Sequence, residues 1–467
     1  MLANRIEIRR LASVIEILSS TGNRTRNPYR EILRRDYPEP LIALLAFILG
    51  IWLWDHYFGK NQGYEPGTEE VALVKIDRDL RLADAMSADP SWLRWLAGAE
   101  TPVEARKNAL SALGSLAREK AISLPGIEAF AILKAVDAER PIPELLAELM
   151  QGQPISEVAE TSQSLARHGG TWWHARWIES EEKSMRPVEH WLESYHQDGQ
   201  TIRLRALASR SAVWMLGLTG LAFLPSALGT LLRGLRAKPR GYGGAWPLTL
   251  GLTMFLVATL AWIGFTMTLE IGISSLPNLH PLVAIFLDSA ARLLPPLIAV
   301  GLLFRRPSHA IRVMGLNQPI AARHILALFS ILMVIDQGLR IAFGANTSAD
   351  PGGGLSMGDA GMWGLAFSVC SACVMAPVSE ELLYRGILFR SCWNRLGVLP
   401  AAVLSSAVFA VLHFYDGYGL ASVGAFGMAC ALLYAATGSL ATTIALHMLY
   451  NASIKIPEWL IYHAPLG

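Results

Sequence analysis

Residues 361–386 read GMWGLAFSVCSACVMAPVSEELLYRG. An uncharged run from Gly361 to Ser379 leads into two adjacent glutamates, Glu380 and Glu381, with Arg385 one helical turn beyond the second. A helix needs about 20 mostly apolar residues to cross a hydrocarbon core roughly 30 Å thick, and this stretch qualifies. It therefore reads as a membrane helix ending in a charged motif. A charge near the bilayer centre costs about 2.5–3.5 kcal/mol on insertion scales, so it usually has a partner or a function. Successive helix residues point about 100° apart, which puts Glu381 and Arg385 on one face as an i, i+4 pair and turns Glu380 elsewhere. A buried carboxylate lacking a partner suits a general base. Taken alone, the motif has a lesser alternative reading as an interfacial ion pair with one solvated glutamate to spare.

Working outward, other apolar runs surround this one. The chain has 467 residues, of which 52% are hydrophobic and 17% charged. Soluble domains average about 25% charged residues, so the composition indicates a membrane protein. The expected fold class is all-α, a polytopic transmembrane helical bundle of eight or nine spans with an inserted helical extramembrane domain. Spans are expected at 41–58, 211–232, 247–268, 281–304, 323–344, 361–384, 398–415, 420–437 and 438–456. Residues 1–40 are rich in arginine, with a short amphipathic helix expected around Leu11 to Leu18; they form a basic cytoplasmic segment rather than a signal peptide. In the first span, Trp52, Trp54 and Tyr57 form an interfacial belt. Residues 60–205 are polar and read as soluble helices, for example Val103 to Ala121 and Pro143 to Met150, with Trp172, Trp173 and Trp177 packed in their core. The transmembrane core then occupies 211–456.

The basic clusters orient the chain. Arg233, Arg236, Lys238 and Arg240 follow one span, Arg305 and Arg306 another, and Arg385, Arg390 and Arg395 a third. With the N-terminus inside, each cluster also falls inside, as the positive-inside rule requires. The expectation is a multi-pass protein of the plasma (inner) membrane with 60–205 outside. A formal net charge of +2 gives no reason to expect a nucleic-acid partner. Cys370, Cys373, Cys392 and Cys430 all lie in or beside apolar stretches, so no disulfide framework is expected. The CxxC spacing of Cys370 and Cys373 reads as close helix packing.

Several polar groups sit inside these apolar runs. Asp288 with Arg292, and Asp336 with Arg340, are i, i+4 pairs that read as anchors between helices. His413 closes the run Phe409–His413. His447 and Asn451 share one face of the last span. A lone histidine in an apolar helix is more often a satisfied core residue. Two histidines, an amide and an unpaired glutamate on different late helices together supply a base, a proton shuttle and oxyanion donors.

These residues resemble the CPBP family, the membrane proteases that include type II CAAX prenyl endopeptidases and bacteriocin-processing and immunity-related relatives. The family pattern is EExxxR, then FxxxH, then HxxxN on successive helices; this chain has Glu380-Glu381 with Arg385, Phe409 with His413, and His447 with Asn451. The protease motifs lie within 376–455. The resemblance implies a glutamic-type endopeptidase in which Glu380 activates water, His413 helps to hold and deprotonate it, and His447 and Asn451 stabilise the oxyanion. Glu381 and Arg385 are then structural support. No cofactor is expected; zinc held by the glutamate and histidines is the alternative, although the sequence lacks HExxH. The implied partners are a peptide or membrane-protein substrate and the lipid bilayer. Two other classes compete: a non-catalytic membrane scaffold or immunity protein that keeps the fold, and an ion or solute transporter, which would be expected to show inverted repeats.

Overall fold

The computed structural model describes residues 68–118, 124–139, 171–181, 188–236, 248–274, 281–304, 306–344, 361–413, 415, 417–464 and 466. The first expected span, the basic N-terminal segment and the expected helix at Pro143 to Met150 lie outside these residues. Every regular element among the described residues is helical. The chain divides into two compact units, one of residues 1–57 and 215–455, the other of 58–214 and 456–467.

The second unit is built from α1 (Thr68–Ala85), α2 (Ser91–Ala97), α3 (Pro102–Arg118), α4 (Leu124–Asp137), α5 (Trp172–Glu181) and most of α6 (Val188–Leu221). Its main core gathers Ile76 and Leu80 of α1, Leu113 of α3, Ile132 and Leu133 of α4, and Trp172 and Trp173 of α5. These recur at helical spacing, so each helix turns one apolar stripe inward. The Trp177 side chain lies outside the described residues. Asp84 accepts from the Trp172 indole at 2.7 Å, which lets this ring be buried with its N–H paired. A smaller core joins Leu82, Met86, Ala97, Ile202 and Ala206 to Ile461 near the C-terminus. Tyr462 donates to Asp79 at 2.7 Å and Arg205 to the Ala464 carbonyl at 3.1 Å, so the C-terminal residues belong to this unit.

The other unit holds the end of α6, then α7 (Leu224–Leu235), α8 (Leu248–Ser274), α9 (Pro281–Leu303), α10 (Pro307–Met314), α11 (Ala322–Phe343), α12 (residues 361–396), α13 (Val398–Val411), α14 (Gly417–Thr437) and α15 (Leu440–Glu458). Helix α14 is central, packing on α7, α11, α12 and α13. Helices α8 and α9 pair with each other and flank α12. Close crossing depends on small residues: a Cβ at Gly220 would lie 2.0 Å from the Leu326 carbonyl oxygen, so only glycine lets α6 and α11 approach this near.

The described residues contain four helices long and apolar enough to cross a membrane, or five if the α6–α7 pair, bent by 69°, is one broken span. The expected eight or nine include the run at 41–58, which lies outside the described residues, and several shorter or more polar helices. Helix α13 stops after 14 residues. Helix α15 is as long as a span but carries Thr442, Thr443, His447, Asn451 and Lys455, which lower its hydropathy. In α9 only Ser289–Leu303 is apolar enough, and it falls short of spanning length. Conversely, the span expected at 361–384 runs from Ala366 to Trp393, past the charged motif.

Candidate active site

Helix α12 is not a uniform α-helix. It is α-helical over Gly361–Cys370, π-helical over Ser371–Met375, α-helical over Ala376–Glu380, π-helical over Glu381–Phe389 and α-helical again over Arg390–Leu396. Pro377 explains the first wide segment. Its ring clashes with the carbonyl four residues back and it has no N–H to donate, and a π turn relieves both problems. The carbonyl five residues before Pro377 belongs to Ala372, and it accepts from the Asn451 amide of α15 at 2.8 Å. Asn451 thus supplies the donor that the proline lacks, and its Nδ2 carries a second N–H.

Glu380 and Glu381 end in different surroundings. Glu381 is fully buried, its Oε1 lying 2.8 Å from Arg385 Nη1 and 2.9 Å from His447 Nδ1. Arg385 in turn donates to the Gly427 carbonyl at 3.1 Å, and its guanidinium lies 4.4 Å from the centre of the Phe409 ring. A Cβ at Gly427 would come within 3.2 Å of that guanidinium, so α14 is bare where the arginine reaches it. The Glu380 side chain keeps 25% of its surface exposed, and its Oε2 stands 3.6 Å from His447 Nε2. One imidazole therefore lies between two carboxylates, one sealed and one open. Next to Glu380, the Ser379 hydroxyl donates to the Arg292 carbonyl of α9.

His413 follows the end of α13 rather than lying within a longer helix. The last turn tightens, with Leu412 N–H bonded to Val408 O at 3.2 Å and His413 N–H to Ala410 O at 3.1 Å. His413 Nδ1 lies 2.7 Å from the Phe409 carbonyl. A carbonyl can only accept, so Nδ1 carries the proton and Nε2 of the neutral ring is left as an acceptor. Phe409 ties the two histidines together, its ring 4.6 Å from His413 and 6.1 Å from His447. Phe426 closes another side of His447 at 4.6 Å, and Tyr450 stacks on Phe426 at 4.6 Å.

Sequence reasoning assigned Arg385 to Glu381 but missed that Glu381 also holds His447. It left Glu380 without any neighbour, whereas His447 faces it. It directed His447 and Asn451 to one point, whereas the Asn451 amide is partly engaged by Ala372. Asp336 and Arg340 pair at 2.8 Å, and Asp336 also accepts from Tyr418 at 2.6 Å and Ser422 at 3.1 Å. Those two partners carry no signal in the sequence beyond being polar in an apolar helix. The Asp288 side chain lies outside the described residues. Among the described residues, no three or more His, Cys, Asp or Glu side chains are gathered as for a metal ion.

The order of these groups along the chain coincides with a known pattern. Residues 362–453 match the family model described as Type II CAAX prenyl endopeptidase Rce1-like. The matched segment begins in α12 and ends in α15, so it contains Glu380, Glu381, Arg385, His413, His447 and Asn451. No curated protein and no solved structure matches the chain. The Rce1-like match, together with the long apolar helices, supports an integral membrane protein with protease activity on a peptide substrate.

Proposed function

We propose that the Rce1-like segment is an intramembrane endopeptidase in which Glu380 activates the attacking water. The observation that carries this reading is the contrast between the glutamates: Glu381 is sealed against Arg385 and His447, while the Glu380 side chain stays partly exposed, 3.6 Å from His447. An open carboxylate can take a proton from water; a sealed one can only orient its neighbours. Glu381 holds His447 by Nδ1, which fixes the ring so that Nε2 points toward the reacting side.

In this mechanism Glu380 removes a proton from water as its oxygen adds to the scissile carbonyl carbon. His413, with Nε2 free to accept, helps to position that water. The negative charge forming on the carbonyl oxygen is met by the His447 imidazole and by the second N–H of Asn451. Collapse breaks the carbon–nitrogen bond, and Glu380 returns its proton to the leaving amine. The products are a carboxylate and an amine, with one water consumed.

The substrate class is a peptide segment of a membrane-associated protein. The test is purified protein in liposomes given otherwise identical peptides with and without an isoprenyl group, with products read by mass spectrometry for wild type and Glu380→Gln. Cleavage by wild type and not by the variant supports the reading, and the two peptides show whether the lipid group is recognised. A wild-type protein that binds peptide without cutting it would favour a scaffold, and one that moves ions without cutting a transporter.

A further inference from the structure

Helix α2, SWLRWLA over Ser91–Ala97, has two apolar faces. One is spent inside the second unit: Ala97 is buried in the smaller core and Leu93 packs against it. The other presents Trp92, 64% exposed, and Trp95, 58% exposed, to the outside. Burying even one such ring removes about 150–250 Å² of surface from water, so two within one turn are costly to leave in solvent. Trp95 packs against Trp214 of α6 at 5.0 Å between ring centres. The same helix then continues directly into Met215, Leu218 and Leu221, all exposed and apolar, in the run that qualifies as part of a membrane span. Arginines border the tryptophans. Arg94 donates to the Asp89 carbonyl at 2.6 Å, and Arg210 lies so close over Gly98 that a Cβ there would touch its guanidinium. Gly98 has a φ of +62°, a conformation that favours glycine there.

We propose that Trp92 and Trp95, with Trp214, form an interfacial anchor that seats this edge of the second unit in the headgroup layer of the membrane. Three features select lipid over a protein partner. The exposed residues are tryptophans, whose amphipathic rings collect at the membrane–water boundary. Their cationic neighbours suit phosphate headgroups. Trp214 immediately precedes in the chain Met215, the first of the exposed apolar residues of a run apolar enough to belong to a membrane span.

The test places a nitroxide at position 92 of the full-length protein, in phosphatidylcholine–phosphatidylglycerol liposomes. Cys370 is the one exposed cysteine and is replaced by serine, leaving Cys373, Cys392 and Cys430 buried. Exposed Lys107 of α3 serves as the aqueous control site. A Trp92→Cys label should show an oxygen-to-nickel-chelate accessibility ratio several-fold above that of a Lys107→Cys label. Equal ratios at the two sites would overturn the proposal, and so would shielding of position 92 from both reagents, which would mean that protein covers the patch. If Trp92→Cys does not yield folded protein, Trp92→Phe decides. The emission lost with Trp92 should be quenched by lipids brominated near the headgroup, and lack of quenching would overturn the anchor.

Discussion

His447 Nδ1 lies 2.9 Å from the Oε1 of a glutamate with no exposed surface, Glu381, while the opposite ring nitrogen faces Glu380 at 3.6 Å. Glu381 thereby joins Arg385 to His447, and its removal should have two separable effects. Glu381→Gln leaves the Arg385 charge buried without its counter-ion, which typically costs about 3–5 kcal/mol. Yield and melting temperature should fall sharply. The double variant Glu381→Gln, Arg385→Met should recover much of the melting temperature and none of the activity, because His447 still lacks its anionic partner. A recovered, fully active double variant would show that Glu381 serves the fold alone.

Asn451 has a structural duty to Ala372 and a proposed duty to the oxyanion, and the two differ in size. A hydrogen bond between membrane helices averages about 0.6 kcal/mol. Loss of an oxyanion donor costs on the order of 10²–10³ in rate. Asn451→Ala should lower kcat by about that factor with KM and melting temperature nearly unchanged. His447→Ala should be at least as severe. Normal turnover with a slightly lowered melting temperature would leave Asn451 as a substitute donor for Pro377 and nothing more.

Much of this arrangement is visible in the order of residues, for physical reasons. Helical i, i+4 spacing puts Arg385 beside Glu381 and turns Glu380 away, and Glu381 and Arg385 are 2.8 Å apart in the structure although the segment they open is π-helical. Contacts between helices are a different matter. Nothing local tells Glu381 that His447, 66 residues later, will lie against it, or that Tyr450 will stack on Phe426. The π segments are equally hidden, although Pro377 marks where one is needed. The expected spans and the long apolar helices differ where polar residues occupy a helix, as in α15, and where α13 stops short at the turn that carries His413.

Zinc offers a clear alternative chemistry. A catalytic zinc takes about three protein ligands, and a glutamate-activated water needs none. Hydrolysis should therefore survive exhaustive chelation. Protein that carries stoichiometric zinc, loses it together with activity, and regains both on addition of the metal would replace the glutamic mechanism.

In the second unit, Glu128 of α4 is buried, and its Oε1 has no hydrogen-bond partner among the described residues. Burial pushes its carboxyl up to about 7 from the ordinary 4.5. The folded state then holds a proton that the unfolded chain has lost between these values, so stability is greatest below about pH 4.5 and declines as pH rises to about 7. The loss should be on the order of 3 kcal/mol. Hydrogen exchange over residues 124–137, corrected for the intrinsic rate, should show falling protection across that window. In Glu128→Gln this decline should be absent; the same decline in the variant would assign it to another group.

The most direct test of the central claim compares Glu380→Gln with wild type in one liposome assay, with peptide hydrolysis and melting temperature read on the same preparations. The carboxylate is partly exposed and its exchange for an amide alters little packing, so the variant should melt within a degree or two of wild type. Losing its base, it should show no hydrolysis above background. Glu380→Gln that folds and cleaves at the wild-type rate would contradict the account.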